Sequence, residues 1–94
     1  MLYIESLEID DNILDKIERK HGIAFNEIEE ACLSDKRHVR KGKEGLYKLF
    51  SQADAGRYIL VVLLNLGDSN WKVVTARELT DSERQLYKKS IGGT

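Results

Sequence analysis

Arg57-Tyr58-Ile59-Leu60-Val61-Val62-Leu63-Leu64 contains the longest apolar run in the chain, and the rest of the architecture arranges itself around it. The run from Tyr58 to Leu64 is strand length and far short of the ~18 residues that cross a membrane. Polar and apolar residues do not alternate within it, so neither face is left to water. It therefore reads as a central strand covered on both sides. Downstream, Gly67-Asp68-Ser69-Asn70 has turn chemistry and closes a hairpin into Trp71-Lys72-Val73-Val74-Thr75. Upstream, Gln52 to Gly56 is turn-like. Leu46 to Ser51 alternates as Leu46, Lys48, Phe50 against Tyr47, Leu49, Ser51, which predicts another strand.

Further out the pattern becomes helical. Thr80-Asp81-Ser82-Glu83 has the form of a capping box and opens a helix to about Lys89, after which Gly92-Gly93-Thr94 frays. The stretch 34–44 has little apolar content and reads as a loop. Phe25 to Leu33 predicts a short helix, with Asn26 and Glu29 spaced as a capping box and Phe25, Ile28 and Cys32 on one face. Before it, Asp10 or Asp11 caps a helix carrying Ile13, Leu14 and Ile17, which Gly22 stops. Leu2, Ile4, Leu7 and Ile9 lean towards β, but the alternation changes phase near Glu5-Ser6. That predicts a strand with a bulge, or one that ends early. The expected class is α+β, in the order β-α-α-β-β-β-α. An antiparallel sheet of three to four strands should carry the helices on one face.

The chain has 94 residues, which predicts one domain over 1–94 with one modest core. Cys32 is the single cysteine, so no internal disulfide or zinc cage can form from cysteines, and a small core residue is expected there. Met1 to Glu8 carries two glutamates and no base, unlike a signal peptide. A cytoplasmic protein without a membrane partner is expected. The net charge of -1 hides an asymmetry. Residues 1–35 hold ten acids and three bases, and residues 36–94 hold six acids and twelve bases. The basic density peaks in Lys36-Arg37-His38-Val39-Arg40-Lys41-Gly42-Lys43. Arg40, Lys41, Lys43 and Lys48 are therefore candidate contacts to a polyanion such as RNA, the other reading being a solvated loop.

No phosphate-binding glycine loop or serine elbow is present, and His21 and His38 are not at metal-ligand spacing; no cofactor is expected. The chemistry-bearing residues are Lys20 and His21 at the end of the first helix, Arg57 at the start of the central strand, Arg77 just past the last strand, and Tyr87 on the last helix. Antiparallel pairing would bring Arg57 and Arg77 to the same edge of the sheet, where an anion could lie between them. RNA can be cut by its own 2′-hydroxyl if a base, an acid and cations attend the phosphate. Each residue also has a structural reading. His21 can serve the helix C-terminus, the arginines can pair with Glu78, Glu83 or acids of the first helix, and Tyr87 and Trp71 can pack.

Four segments resemble the BrnT family of bacterial ribonuclease toxins. Lys20-His21-Gly22-Ile23-Ala24-Phe25 is similar to its Lys-His-Gly-Val-Ser-Phe stretch, and Gly56-Arg57-Tyr58-Ile59-Leu60-Val61-Val62 to its Gly-Arg-x-Leu-x-Val strand. Val73-Val74-Thr75-Ala76-Arg77 resembles its Ile-Ile-Ser-Ala-Arg strand end. Ser82-Glu83-Arg84-Gln85-Leu86-Tyr87 resembles its closing Glu-Arg-x-x-Tyr helix. The resemblance implies a RelE-like fold and metal-independent RNA cleavage, with Lys20, His21, Arg57, Arg77 and Tyr87 at the matching positions. It also implies a small antitoxin of ribbon–helix–helix type, with DNA bound only through the complex. Three departures stand out: Ile9 where the family has tryptophan, Thr75 for its serine, and no arginine opening the second strand at Leu46, Tyr47 and Lys48. The alternative expectation is a non-catalytic antitoxin-binding co-repressor module, or an inactive nuclease relative. A third is RNA binding without cleavage through 36–48.

Overall fold

The computed structural model describes residues 3–92; Met1, Leu2 and the Gly93-Thr94 end lie outside the described residues. The elements are β1 (Ser6–Glu8), α1 (Asp11–His21), α2 (Phe25–Leu33), β2 (His38–Lys41), β3 (Leu46–Gln52), β4 (Tyr58–Gly67), β5 (Asn70–Glu78) and α3 (Asp81–Ser90). They form one sheet in the order β1-β5-β4-β3-β2. The α+β class and the expected succession of elements hold, with one strand added. β1 runs parallel to β5, and every other pair is antiparallel.

The added strand corrects the reading of 34–44 as a loop. His38–Lys41 pairs with Tyr47–Phe50, and Val39 packs into the core beside Leu49. Only one apolar residue of β2 points inward, so a period of two could not be seen in its sequence. Charged residues on such an edge strand also discourage pairing with another chain.

β4 occupies the centre of the sheet, as its continuous apolar run requires. Ile59, Val61 and Leu63 point to one face, where Ile17 of α1 and Ile28 and Cys32 of α2 cover them. Leu60 points to the other face and packs with Phe50, Leu79 and Tyr87 of α3. The expectation that all helices share one face therefore fails. An apolar strand with two exposed faces needs cover on both, and α3 supplies the second. Leu63 pairs with Val73 and Val62 with Thr75, which leaves Val74 as an extra, exposed residue in a bulge.

The local signals hold at most boundaries. Gly22 ends α1 with φ 63°, and its N–H donates to the Glu18 carbonyl. Asp68 and Ser69 both take positive φ (50° and 67°) in the β4–β5 hairpin, the twist that suits a tight antiparallel turn. Thr80 and Glu83 form the reciprocal cap of α3: the Thr80 hydroxyl accepts from the Glu83 N–H at 3.2 Å and the Glu83 carboxylate accepts from the Thr80 N–H at 2.9 Å. The cap of α2 is shifted from Asn26 and Glu29. Ala24 is the N-cap, and the Glu27 carboxylate accepts its N–H at 3.0 Å. Alanine has no acceptor in its side chain, so this is half a box, which the spacing rule does not find. β1 begins at Ser6, where the alternation changes phase. Trp71 is core: its ring meets Tyr47 edge-on at 5.0 Å, and its N–H donates to the Tyr3 carbonyl.

Candidate active site

The register decides which of the candidate residues meet. Arg57 precedes β4, and its guanidinium turns to the α1–α2 face. It donates to the carbonyls of Gly22 at 2.8 Å and His21 at 3.3 Å, and lies 3.4 Å from the Glu27 carboxylate. Arg77 stands opposite Leu60 inside β5, not past its end, and faces α3. Both Glu83 oxygens accept from it, at 2.7 and 2.9 Å. The two arginines thus share one end of the sheet but lie on opposite faces. The expected common phosphate pocket between them does not form.

Arg57 works as a clamp in this arrangement. The last carbonyls of a helix lack partners and carry the negative end of its dipole, so a cation bonded there is well placed. Glu27 binds the other side of that cation and the α2 cap together. Arg57→Ala is expected to lower stability by about 1–2 kcal/mol, the worth of charge-assisted hydrogen bonds at a half-buried site. Thermal denaturation checks this, and an unchanged melting temperature would remove the clamp role. Lys20 and His21 sit exposed at the same corner, beside a pocket of about 210 Å³ that Lys16, Val74 and Thr75 also line.

Tyr87 is 2 % exposed, and its hydroxyl donates to the Lys36 carbonyl at 2.6 Å. Its ring meets Tyr58 edge-on at 6.0 Å. Burial raises its pKa, so its proton is both bonded and held.

The opposite face of β2 and β3 carries a groove of about 390 Å³ lined by Arg40, Lys41, Gly42, Lys48, Phe50, Glu83 and Leu86. Period two puts it there. With Val39 and Leu49 turned to the core, His38, Arg40, Lys48 and Phe50 face α3. Arg40 and Lys48 stand directly opposite each other, and His38 stands opposite Phe50 with ring centroids 5.6 Å apart. α3 covers Phe50 but leaves the Arg40–Lys48 row open to solvent. Lys43 lies outside this lining, in the β2–β3 turn. The Arg77 hydrogen bonds hold the Glu83 carboxyl down at about 2, so this wall residue stays ionised. Burial, then the charge of Arg40, lowers the His38 pKa and favours its neutral form. Among the described residues, no three His, Cys, Asp or Glu side chains gather to hold a metal ion.

The sequence reading found the groove's cations and missed its other members. Arg40, Lys41 and Lys48 stood out by charge density. Glu83 and the neighbouring His38 did not, because their surroundings follow from pairing β2 with β3 and laying α3 across them. The one available signal was the match of His38-x-Arg40 to Lys48-x-Phe50 across a turn, visible only once 38–41 is known to be a strand.

No protein-family model matches the sequence, and no curated protein matches it. In fold, the chain is similar to the crystal structure of the Brucella abortus ribonuclease toxin BrnT. The TM-score is 0.67 at 17% identity, covering 81% of this chain and 97% of that one.

Proposed function

We propose that this chain is the toxin of a toxin–antitoxin pair, a BrnT-type endoribonuclease that cuts RNA without a metal ion. One observation carries the reading beyond the fold: Arg40 and Lys48 are paired across β2 and β3 at an open groove. Like charges directly opposite in a sheet are destabilising. They are explained if an anion lies over them, and the backbone of single-stranded RNA supplies such an anion at every residue. In this reading Arg40, Lys41 and Lys48 hold the phosphates, with Lys43 extending the basic surface. Arg77 positions Glu83 at the groove wall. The 2′-hydroxyl attacks its own phosphate, and the cations stabilise the charge on the crowded phosphorus.

The acidic N-terminal third offers a second surface. Asp11, Asp15 and Glu18 are exposed on α1, which suits docking by a basic antitoxin of ribbon–helix–helix type that carries the DNA contacts. A second reading follows from Arg77 being fully engaged by Glu83: a non-catalytic partner module with the same docking surface. Induction in a bacterial host separates the two. The toxin reading expects growth arrest with loss of RNA, and cleavage by purified protein that persists in chelator. Unimpaired growth together with intact RNA at micromolar protein would reject it in favour of the partner module.

A further inference from the structure

We propose that His38, beside the Arg40–Lys48 groove, takes the proton from the 2′-hydroxyl of an RNA bound there, an assignment that rests on the ribonuclease reading above. On this side of the sheet Tyr58 packs against Tyr87, Arg84 and Lys88, outside the groove lining, which leaves Glu83, Tyr87 and His38 as groups that could accept a proton. Glu83 is held by two bonds from Arg77 and one from the Thr80 N–H, and a carboxylate so stabilised is a weak base. Tyr87 is buried and its own proton is committed to the Lys36 carbonyl. His38 is half-buried, and its imidazole has no hydrogen-bond partner among the described residues.

Its position fits the role. His38 lies two residues before Arg40 on the same face of β2, and its ring rests on Phe50, a residue of the groove lining. The charged groups about this face include Arg40 and Lys41 on its own strand, Lys48 on β3, Arg77 on β5 and Glu83 on α3, the last two paired with each other. Burial first, and then the charge of Arg40, disfavour an imidazolium before substrate arrives. A phosphate bound across Arg40 and Lys48 would offset that charge and stabilise the imidazolium as it forms. Binding and proton acceptance would thereby be coupled.

The step balances without a further cofactor. A His38 ring nitrogen takes the 2′-hydroxyl proton as the oxygen bonds to phosphorus. The bond from phosphorus to the 5′-oxygen breaks, its electron pair stays on that oxygen, and a water molecule protonates it. The hydroxide left behind recovers the proton from His38. The products are a 2′,3′-cyclic phosphate and a 5′-hydroxyl.

The test uses the full chain and a labelled single-stranded RNA, comparing wild type with His38→Ala and His38→Gln. Glutamine keeps the contact with Phe50 and guards against misfolding, which melting curves check. The expected result is a fall in kcat of at least about 100-fold, the usual worth of a general base, with KM within about threefold. The acidic limb of the pH–rate profile should vanish, and added imidazole should partly restore His38→Ala. Folded variants that cut within about threefold of wild type, or keep the acidic limb, overturn the assignment. A wild-type chain that leaves RNA intact overturns the ribonuclease reading first, and the role of His38 with it.

Discussion

Replacing Arg40 and Lys48 together by glutamate is expected to weaken RNA binding at least about 100-fold and to abolish detectable cleavage, while the melting temperature moves by no more than about 4 °C. Each side chain is exposed, and surface substitutions of this kind change stability by roughly 0.5 kcal/mol. The double variant also exchanges one like-charge pair for another, so the sheet is no worse off. RNA binding is affected quite differently. Two favourable phosphate interactions, each worth roughly 1–1.5 kcal/mol, become repulsive. The salt dependence should flatten as well, its slope falling by about one unit for each phosphate that is no longer neutralised.

The single variant Lys48→Glu separates the needs of the sheet from those of the RNA. It places an acid opposite Arg40 and converts repulsion into attraction, so the fold should gain up to about 0.5 kcal/mol. RNA binding should still fall. A protein that becomes slightly more stable and less active would show that the charge pair is kept against the interest of the sheet. If filter binding and cleavage by the double variant match wild type, the groove is not where RNA lies.

Tyr87→Ala is expected to cost about 3–5 kcal/mol, more than Arg57→Ala or any change in the groove. The ring fills the space between α3 and the sheet against Phe50, Leu60 and Leu79, a cluster separate from the main core. α3 has few other anchors: Leu86 and Ile91 are only partly buried. Native domains hold only about 5–15 kcal/mol in reserve, so a drop in melting temperature of about 15–25 °C should follow. Tyr87→Phe separates the ring from the hydroxyl. It should cost about 1 kcal/mol through the missing bond to the Lys36 carbonyl and leave kcat within about threefold. A folded Tyr87→Phe protein with kcat reduced a hundredfold would instead return the phenol to the chemistry, as the likeness of the closing helix to the BrnT pattern implies.

Much of the architecture can be read from local chemistry. The unbroken apolar run of β4 places it centrally, the positive-φ turn at Asp68-Ser69 makes β4 and β5 a hairpin, and Gly22 and Thr80-Glu83 mark helix ends. Each of these depends on residues close in the chain, so the sequence carries it openly. The charge density of 36–48 is equally local, and it located three of the groove's cations.

What the sequence could not show depends on which side of the sheet a residue faces. Antiparallel pairing alone brings Arg57 and Arg77 to one end, and that much is correct. Whether their side chains converge turns on a count of one residue, because neighbours in a strand point to opposite faces. Arg57 falls with Ile59 and Val61 and goes to the α1–α2 turn; Arg77 falls with Leu60 and goes to α3. The pairing of β2 with β3 was hidden for the same reason, since a half-exposed edge strand with a single core residue has no legible period. Class, central strand and basic segment are thus written in the residue order itself. The gathering of Arg40, Lys48 and Glu83 into one groove, with His38 beside it, is not, because cross-strand register and the face on which the last helix lies set it, and both are settled by packing between distant parts of the chain.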